Sequence, residues 1–271
     1  KPVIGWHHEI EQLNREDALA FYRRFYTPNN AVLVIAGDVT PDEVRTLAEQ
    51  TYGKVAPRAE VGSRLRPQEP EPSAIRHVTL TDPRVAQPGL QRAYLVPSLT
   101  SGPGEAPALE MLAQVLGGGA TGRLYRALVV DQGLASDTGA WYQGLALDAT
   151  RFGVYATPRP GVELTQLEDA LDGVIATIVD EGVKADEVAR ARTRMIADYV
   201  YTQDNQAAMA RMYGSALTTG LTLDEVRARP DRLRAVTADQ VHEVARRFLD
   251  KRRSATGYLV KDAGHHEDKR S

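Results

Sequence analysis

The sequence of 271 residues has no cysteine. A disulfide framework, an iron–sulfur cluster and a thiol nucleophile are therefore excluded, and the redox compartment is left open. No apolar run approaches the ~20 residues needed to span a bilayer. No concentrated basic face is present either: the formal charge is −3 and the basic residues are scattered, which argues against a nucleic-acid partner. No two of the six histidines, His7, His8, His77, His242, His265 and His266, lie one helical turn apart, as a helical zinc site requires. Serines occur without a Gly-x-Ser-x-Gly elbow. The opening Lys1-Pro2-Val3-Ile4-Gly5, without Met, reads as truncated or processed, so a missing leader decides little. The compartment stays open, with a periplasmic or secreted location favoured over a cytoplasmic one.

What is present is an ordinary globular composition, 42% hydrophobic and 25% charged, long enough for one large or two small domains. A helix is predicted from Asn14 to Tyr26, capped by Asn14 and striped by Ala18, Leu19, Phe21, Tyr22 and Phe25. Pro28-Asn29-Asn30 breaks it. Ala31–Ala36 is an uninterrupted apolar run, which predicts a strand covered on both faces. A second helix spans Pro41–Tyr52, with Thr40 as cap, Glu43 completing the capping box and Gly53 closing its end. The segment from Val55 to Ser73 carries four prolines, Pro57, Pro67, Pro70 and Pro72, and few large apolar residues. It reads as a partly extended linker. Beyond it, strands are predicted near Arg76–Leu80, Leu90–Val96, Ala135–Gln143, Arg151–Thr157 and Ser254–Val260. Helices are predicted near Glu105–Leu116, Arg123–Gln132, Glu163–Glu181, Ala185–Thr218 and Ala238–Phe248. Grouped strands and helices indicate an α+β layered fold. One internal echo stands out: Asn14–Phe25 and Thr237–Phe248 share a capping residue, an apolar stripe and a terminal Arg-Arg-Phe, at an offset of 223 residues.

The run Gly117-Gly-Gly-Ala-Thr-Gly-Arg-Leu-Tyr-Arg-Ala-Leu-Val-Val-Asp-Gln-Gly-Leu-Ala-Ser136 resembles the M16 family of zinc peptidases, which includes pitrilysin and the mitochondrial processing peptidase. Tyr26-Thr-Pro-Asn-Asn30 and Val32-Leu-Val-Ile-Ala-Gly-Asp38 strengthen the likeness. The resemblance implies a layered sheet-and-helix domain of the LuxS/MPP-like metallohydrolase type. It divides the chain into residues 1–56, the closing helix, strand and helix of a preceding metal-bearing domain; a Pro-rich linker, 57–72; a complete non-catalytic domain, 73–260; and a polar tail, 261–271. The family's His-x-x-Glu-His is absent, so zinc is expected in the full-length parent and no cofactor in this segment. The implied function is that of a non-catalytic C-terminal domain, forming a peptide-enclosing chamber and dimer contacts. The partners it implies are the upstream zinc-bearing domain of the same chain, a second M16-like subunit, with a heterodimer as one form of the pair, and an unfolded peptide. The alternative is a structural or assembly subunit without peptidase activity.

The glycine-rich loop precedes a helix, a place where backbone N–H groups attract anions. A Walker loop needs Lys-Ser or Lys-Thr after its last glycine, and Arg123-Leu124 stands there instead. The glycines are read as a tight reversal between two helices. In the family the loop leads into a helix facing the substrate chamber, where Leu-Arg-x-x-x-Gly-Leu-Ala-Tyr supplies an Arg and a Tyr that hold peptide against zinc. Aligned on Gly133-Leu134-Ala135, these positions are Val129 and Ser136. Arg126, three residues before Val129, is expected on the same helical face. Arg123, Arg126, Val129 and Ser136 are the substrate-contact candidates. The predicted helix Glu105–Leu116 takes the place of the family's metal-bearing helix, and it offers one carboxylate, Glu110, and no histidine.

Overall fold

The computed structural model describes residues 4–62, 66 and 70–262. The chain divides into two compact units, Lys1–Glu69 with Gln206–Gly214, and Pro70–Asn205 with Ser215–Ser271. The polar tail from 263 and parts of the Pro-rich segment lie outside the described residues.

In the first unit, α1 (His7–Gln12) is a short exposed helix that takes up His7-His8-Glu9. Helix α2 (Arg15–Phe25) is capped by Asn14, whose side chain accepts from the Asp17 N–H. Helix α3 (Pro41–Gln50) has the predicted capping box between Thr40 and Glu43, but it ends two residues short of Tyr52, ahead of a 3-10 turn at Tyr52–Lys54 that contains Gly53. None of α1, α2 and α3 contains a buried residue. The predicted strand Ala31–Ala36 is not formed: it joins no ladder among the described residues. A strand covered on both faces needs neighbours to bond, and here Val32, Leu33 and Ile35 remain 47, 51 and 49% exposed.

The second unit is built on one five-stranded sheet: β1 (Arg76–Asp82), β2 (Gly89–Val96), β3 (Ala135–Tyr142), β4 (Thr150–Pro158) and β5 (Ser254–Lys261). The order is β1-β5-β2-β4-β3. β1 runs parallel to β5, with Arg76 opposite Ala255 and Asp82 opposite Lys261, and all other pairings are antiparallel. Period-2 patterning sends Leu90, Arg92, Tyr94 and Val96 of β2 and Phe152, Val154 and Ala156 of β4 to one buried face. There they meet α4 (Ala106–Gly117), α5 (Leu164–Glu181) and α10 (Ala238–Phe248). Outside this layer, α6 (Ala185–Thr202) packs on α4. The helix predicted to run on to Thr218 breaks at 203–205 and resumes as α7 (Gln206–Thr218). Two short helices, α8 (Leu223–Arg227) and α9 (Arg229–Ala235), have no counterpart in the sequence reading. On the opposite face the sheet is shaped by glycines. The Trp141 indole lies where a side chain on Gly153 would stand, and the Tyr155 ring does the same at Gly139.

Candidate functional site

The glycine run is dictated by packing. A Cβ on Gly117 would fall 1.9 Å from the Ala140 backbone nitrogen, so α4 meets β3 only because the side chain is missing. Gly119 has φ +70, the left-handed region that favours glycine. A Cβ on Gly122 would come within 2.8 Å of the Leu116 carbonyl. Arg194 donates to the Gly118 carbonyl at 2.8 Å. The turn therefore spends its carbonyls and its space on its own scaffold.

After it, the predicted helix winds as a π-helix over Tyr125–Asp131. Residues three apart do not share a face in this wider winding. Arg126 is exposed while Val129 is 9% exposed among core residues, so the expected common face is not formed. Arg123 is committed elsewhere: its Nε and Nη2 donate to Glu187 at 2.8 and 2.6 Å and Nη2 also to the Gly182 carbonyl at 3.1 Å. That guanidinium holds the Glu187 carboxyl below its ordinary value. Arg123 and Arg126 line one cleft of about 500 Å³ with Asp131, Glu181, Lys184 and Arg190. Val129 and Ser136 are not part of it. Ser136, at the start of β3, donates to the Thr157 carbonyl at 3.3 Å and accepts from Gln87 at 3.2 Å. The backbone around it is pinned by Arg159, which donates to the Ala135 and Val129 carbonyls, each at 3.2 Å.

A buried charge cluster escaped the sequence reading. Arg92 of β2, 1% exposed, donates to Glu168 at 2.6 Å, to Asp172, to Tyr94 and to Thr256 at 2.8 Å. Lys251 reaches Asp172 at 2.7 Å and Glu168 at 3.0 Å, and Tyr258 donates to Glu168. His77 lies 3.7 Å from Glu168 and edge-on to Tyr258. Burial pushes the Glu168 carboxyl up, but the hydrogen bonds from Tyr258 and Lys251 and the Arg92 charge outweigh it and hold the group at about 2. Two cations face two carboxylates, which suits a clamp of α5 on the sheet.

The donor set does not fit zinc. Among the described residues no group of three or more His, Cys, Asp or Glu side chains converges on one point. Glu110 of α4 is bound to Arg229, His242 is hydrogen-bonded to the Val179 carbonyl at 2.9 Å, and His265 and His266 lie outside the described residues. No described helix is long and apolar enough to cross a membrane.

Comparison with known proteins agrees with this geometry. Residues 12–195 match the family described as the peptidase M16 inactive domain. An uncharacterized zinc protease of Streptomyces coelicolor is 28% identical over 265 residues, covering 94% of this chain and 55% of the relative. A protease from Helicobacter pylori shares the fold at a TM-score of 0.83 and 20% identity, over 94% of this chain and 61% of the other. The first half of the periplasmic protease PqqL from Escherichia coli does so at 0.76 and 18%, over 95% of this chain and 57% of the other. The chain thus spans a little over half the length of these relatives.

Proposed function

The chain belongs to the peptidase M16 inactive-domain family, and from that membership we propose that it is the non-catalytic C-terminal part of a zinc metalloendopeptidase. Its role is to complete the chamber that encloses an unfolded peptide and to supply dimer contacts. The observation that carries this reading is a family match and zinc-protease relatives joined to the lack, among the described residues, of three converging metal-capable side chains. The boundaries proposed are a remnant of the metal-bearing domain over 1–56, a linker over 57–72, a complete domain over 73–260 and a tail over 261–271. The zinc belongs to the parent outside this segment, where it would activate the water that attacks the peptide bond.

This chain's own residues bear on binding. The family's peptide-holding Arg and Tyr are Val129, which is buried, and Ser136, which is hydrogen-bonded to its own sheet. Arg123 is locked on Glu187, and Arg126 is an exposed cation of the cleft, as are Lys184 and Arg190. Metal activates water without orienting a flexible substrate, and orientation lowers a large part of a hydrolytic barrier. The missing grip is therefore supplied by a second, complementary M16-like subunit in a heterodimer. A location outside the cytoplasm is part of the proposal, supported by the periplasmic structural neighbour.

The test is hydrolysis of an unstructured peptide by the full-length parent, by this chain alone and by the parent mixed with a subunit carrying the intact Arg and Tyr. Chelator-sensitive cleavage by the mixture and none by the chain alone is expected. Full activity of the parent without a partner, unaffected by Arg126→Ala, refutes the complementation. A parent that binds no zinc makes it an assembly subunit instead.

A further inference from the structure

The sequence echo between Asn14–Phe25 and Thr237–Phe248 continues into the turn that follows each helix. A 3-10 turn at Pro28–Asn30 follows α2, and one at Lys251–Arg253, 223 residues on, follows α10. Each turn holds one end of the Pro-rich segment. In the first unit Thr27, 3% exposed, donates to the Asn29 side chain and accepts from the Arg58 N–H at 3.0 Å. Asn29 donates to the Ala59 carbonyl at 3.1 Å, and the Arg58 guanidinium lies over the Tyr22 ring. In the second unit Arg253 donates from Nη1 and Nη2 to the two carboxylate oxygens of Glu71, at 2.8 and 3.2 Å, and its guanidinium rests over Phe248. Tyr26-Thr-Pro-Asn-Asn30 thereby acts on chain some thirty residues away.

The two grips differ in kind. The first is made of neutral hydrogen bonds around a buried hydroxyl, so breaking it strands polar groups away from water and salt does not weaken it. The second is an ion pair whose carboxylate side chain is 76% exposed. A pair in that position is screened by salt and holds only weakly. We propose that the two copies of this turn are clasps on the connecting segment: a permanent one, Thr27 with Asn29 at residues 58–59, and a releasable ionic one, Arg253 at Glu71. With the second clasp shut the unheld chain is residues 60–70. With it open the unheld chain runs on through 71–75 to β1, which begins at Arg76, and gains about 17 Å of extended reach. Arg253 thus sets how firmly the start of β1, an edge strand exposed along nearly all its length, is anchored to its own sheet.

The chain has no cysteine, so a nitroxide on Glu60→Cys or on Ser73→Cys, both exposed positions, reports on one clasp at a time through its spin-label mobility. Raising the salt from about 0.1 M to about 1 M shortens the screening length from about 10 Å to about 3 Å. The ratio of slow to mobile label at Ser73 is expected to fall about two- to five-fold, the range of an exposed ion pair, while the label at Glu60 stays slow. Glu71→Gln is expected to give the Ser73 label its high-salt spectrum at low salt and to abolish the salt response. Arg253→Glu is expected to do the same, and its combination with Glu71→Arg to restore both. Thr27→Val is expected to mobilise the Glu60 label at every salt and leave the Ser73 label unchanged, whereas Thr27→Ser keeps it slow; Asn29→Ala, at an exposed position, repeats the test should Thr27→Val unfold. A Ser73 label that moves alike with Glu71 and with Glu71→Gln overturns the ionic clasp. A Glu60 label that stays slow in folded Thr27→Val or Asn29→Ala, or that salt frees as readily as the label at Ser73, overturns the permanent one.

Discussion

Replacing Arg92 by Met tests whether the buried charge cluster holds the second unit together. The substitution keeps an aliphatic stem in the β2 position and removes the charge. Glu168, 10% exposed, and Asp172, 30% exposed, are then left with Lys251, itself 36% exposed, as their remaining cation. Removing one partner of a buried ion pair costs about 3–5 kcal/mol, because the other charge stays desolvated. The loss is expected near the lower end of that range, about 3 kcal/mol, because Lys251 still pairs with both carboxylates and Tyr258 still donates to Glu168, although the Arg92 bond to Thr256 is lost as well. The sign with pH follows from Glu168. Its folded value of about 2 lies below the ordinary 4.5, so its stabilising contribution is complete above about pH 4.5 and is lost as the pH falls toward 2. In Arg92→Met that contribution is smaller, so the gap between wild type and variant narrows between pH 4.5 and 2. Urea unfolding followed by Trp141 fluorescence in a Trp6→Phe background reports on the second unit alone. A loss below about 1 kcal/mol at pH 7, or a loss that is the same at pH 7 and pH 3, refutes the reasoning, because the range assumes a desolvated, charged pair.

Gly117→Ala places a methyl 1.9 Å from backbone and is expected to prevent native packing of α4 on β3, whereas Gly104→Ala, with nothing within 4 Å, leaves the thermal midpoint near wild type; paired melting curves decide it. After removal of residues 263–271, equilibrium dialysis is expected to find no stoichiometric zinc on this chain, and one tightly held ion per chain would contradict the donor analysis. Limited proteolysis is expected to cut first within residues 57–72 and leave a folded fragment beginning near Ser73; early cleavage between Glu105 and Gln143 would misplace the boundary.

Elements whose own sequence carries cap, stripe and stop were legible in advance. Helix α10 begins after Thr237 and ends at Phe248 as read, and β2 and β4 fall within a residue or two of expectation. The charge cluster was missed because its Arg, Lys and two carboxylates come from β2, α5 and the turn before β5, with Arg92 76 residues from Glu168 and 80 from Asp172. A signal was there: Arg92 interrupts the alternation Leu90, Tyr94, Val96 on a buried face, and Glu168 with Asp172 sits beside Leu167 and Leu171. The π-helix gave none, since one added residue per turn leaves no mark on an apolar pattern of seven residues. The missing strand at Ala31–Ala36 records a different limit, because sequence specifies what an element can pair with and not whether the partner is at hand.

The placement of β5 has a consequence for synthesis. Among the described residues β1 is bonded to β5 alone, and its seven residues find their partners at 255–261. A ribosome adding about 5–20 residues per second needs roughly ten to forty seconds to cover that interval. Throughout it β1 is a nascent segment with Val78 and Leu80, 63 and 61% exposed even when folded, and with no native neighbour. The sheet cannot close from one end as it emerges, because the strand made last enters between two made earlier. Closure is therefore a single late event with high contact order, and the interval before it is when a chaperone that masks extended apolar segments has the most to protect.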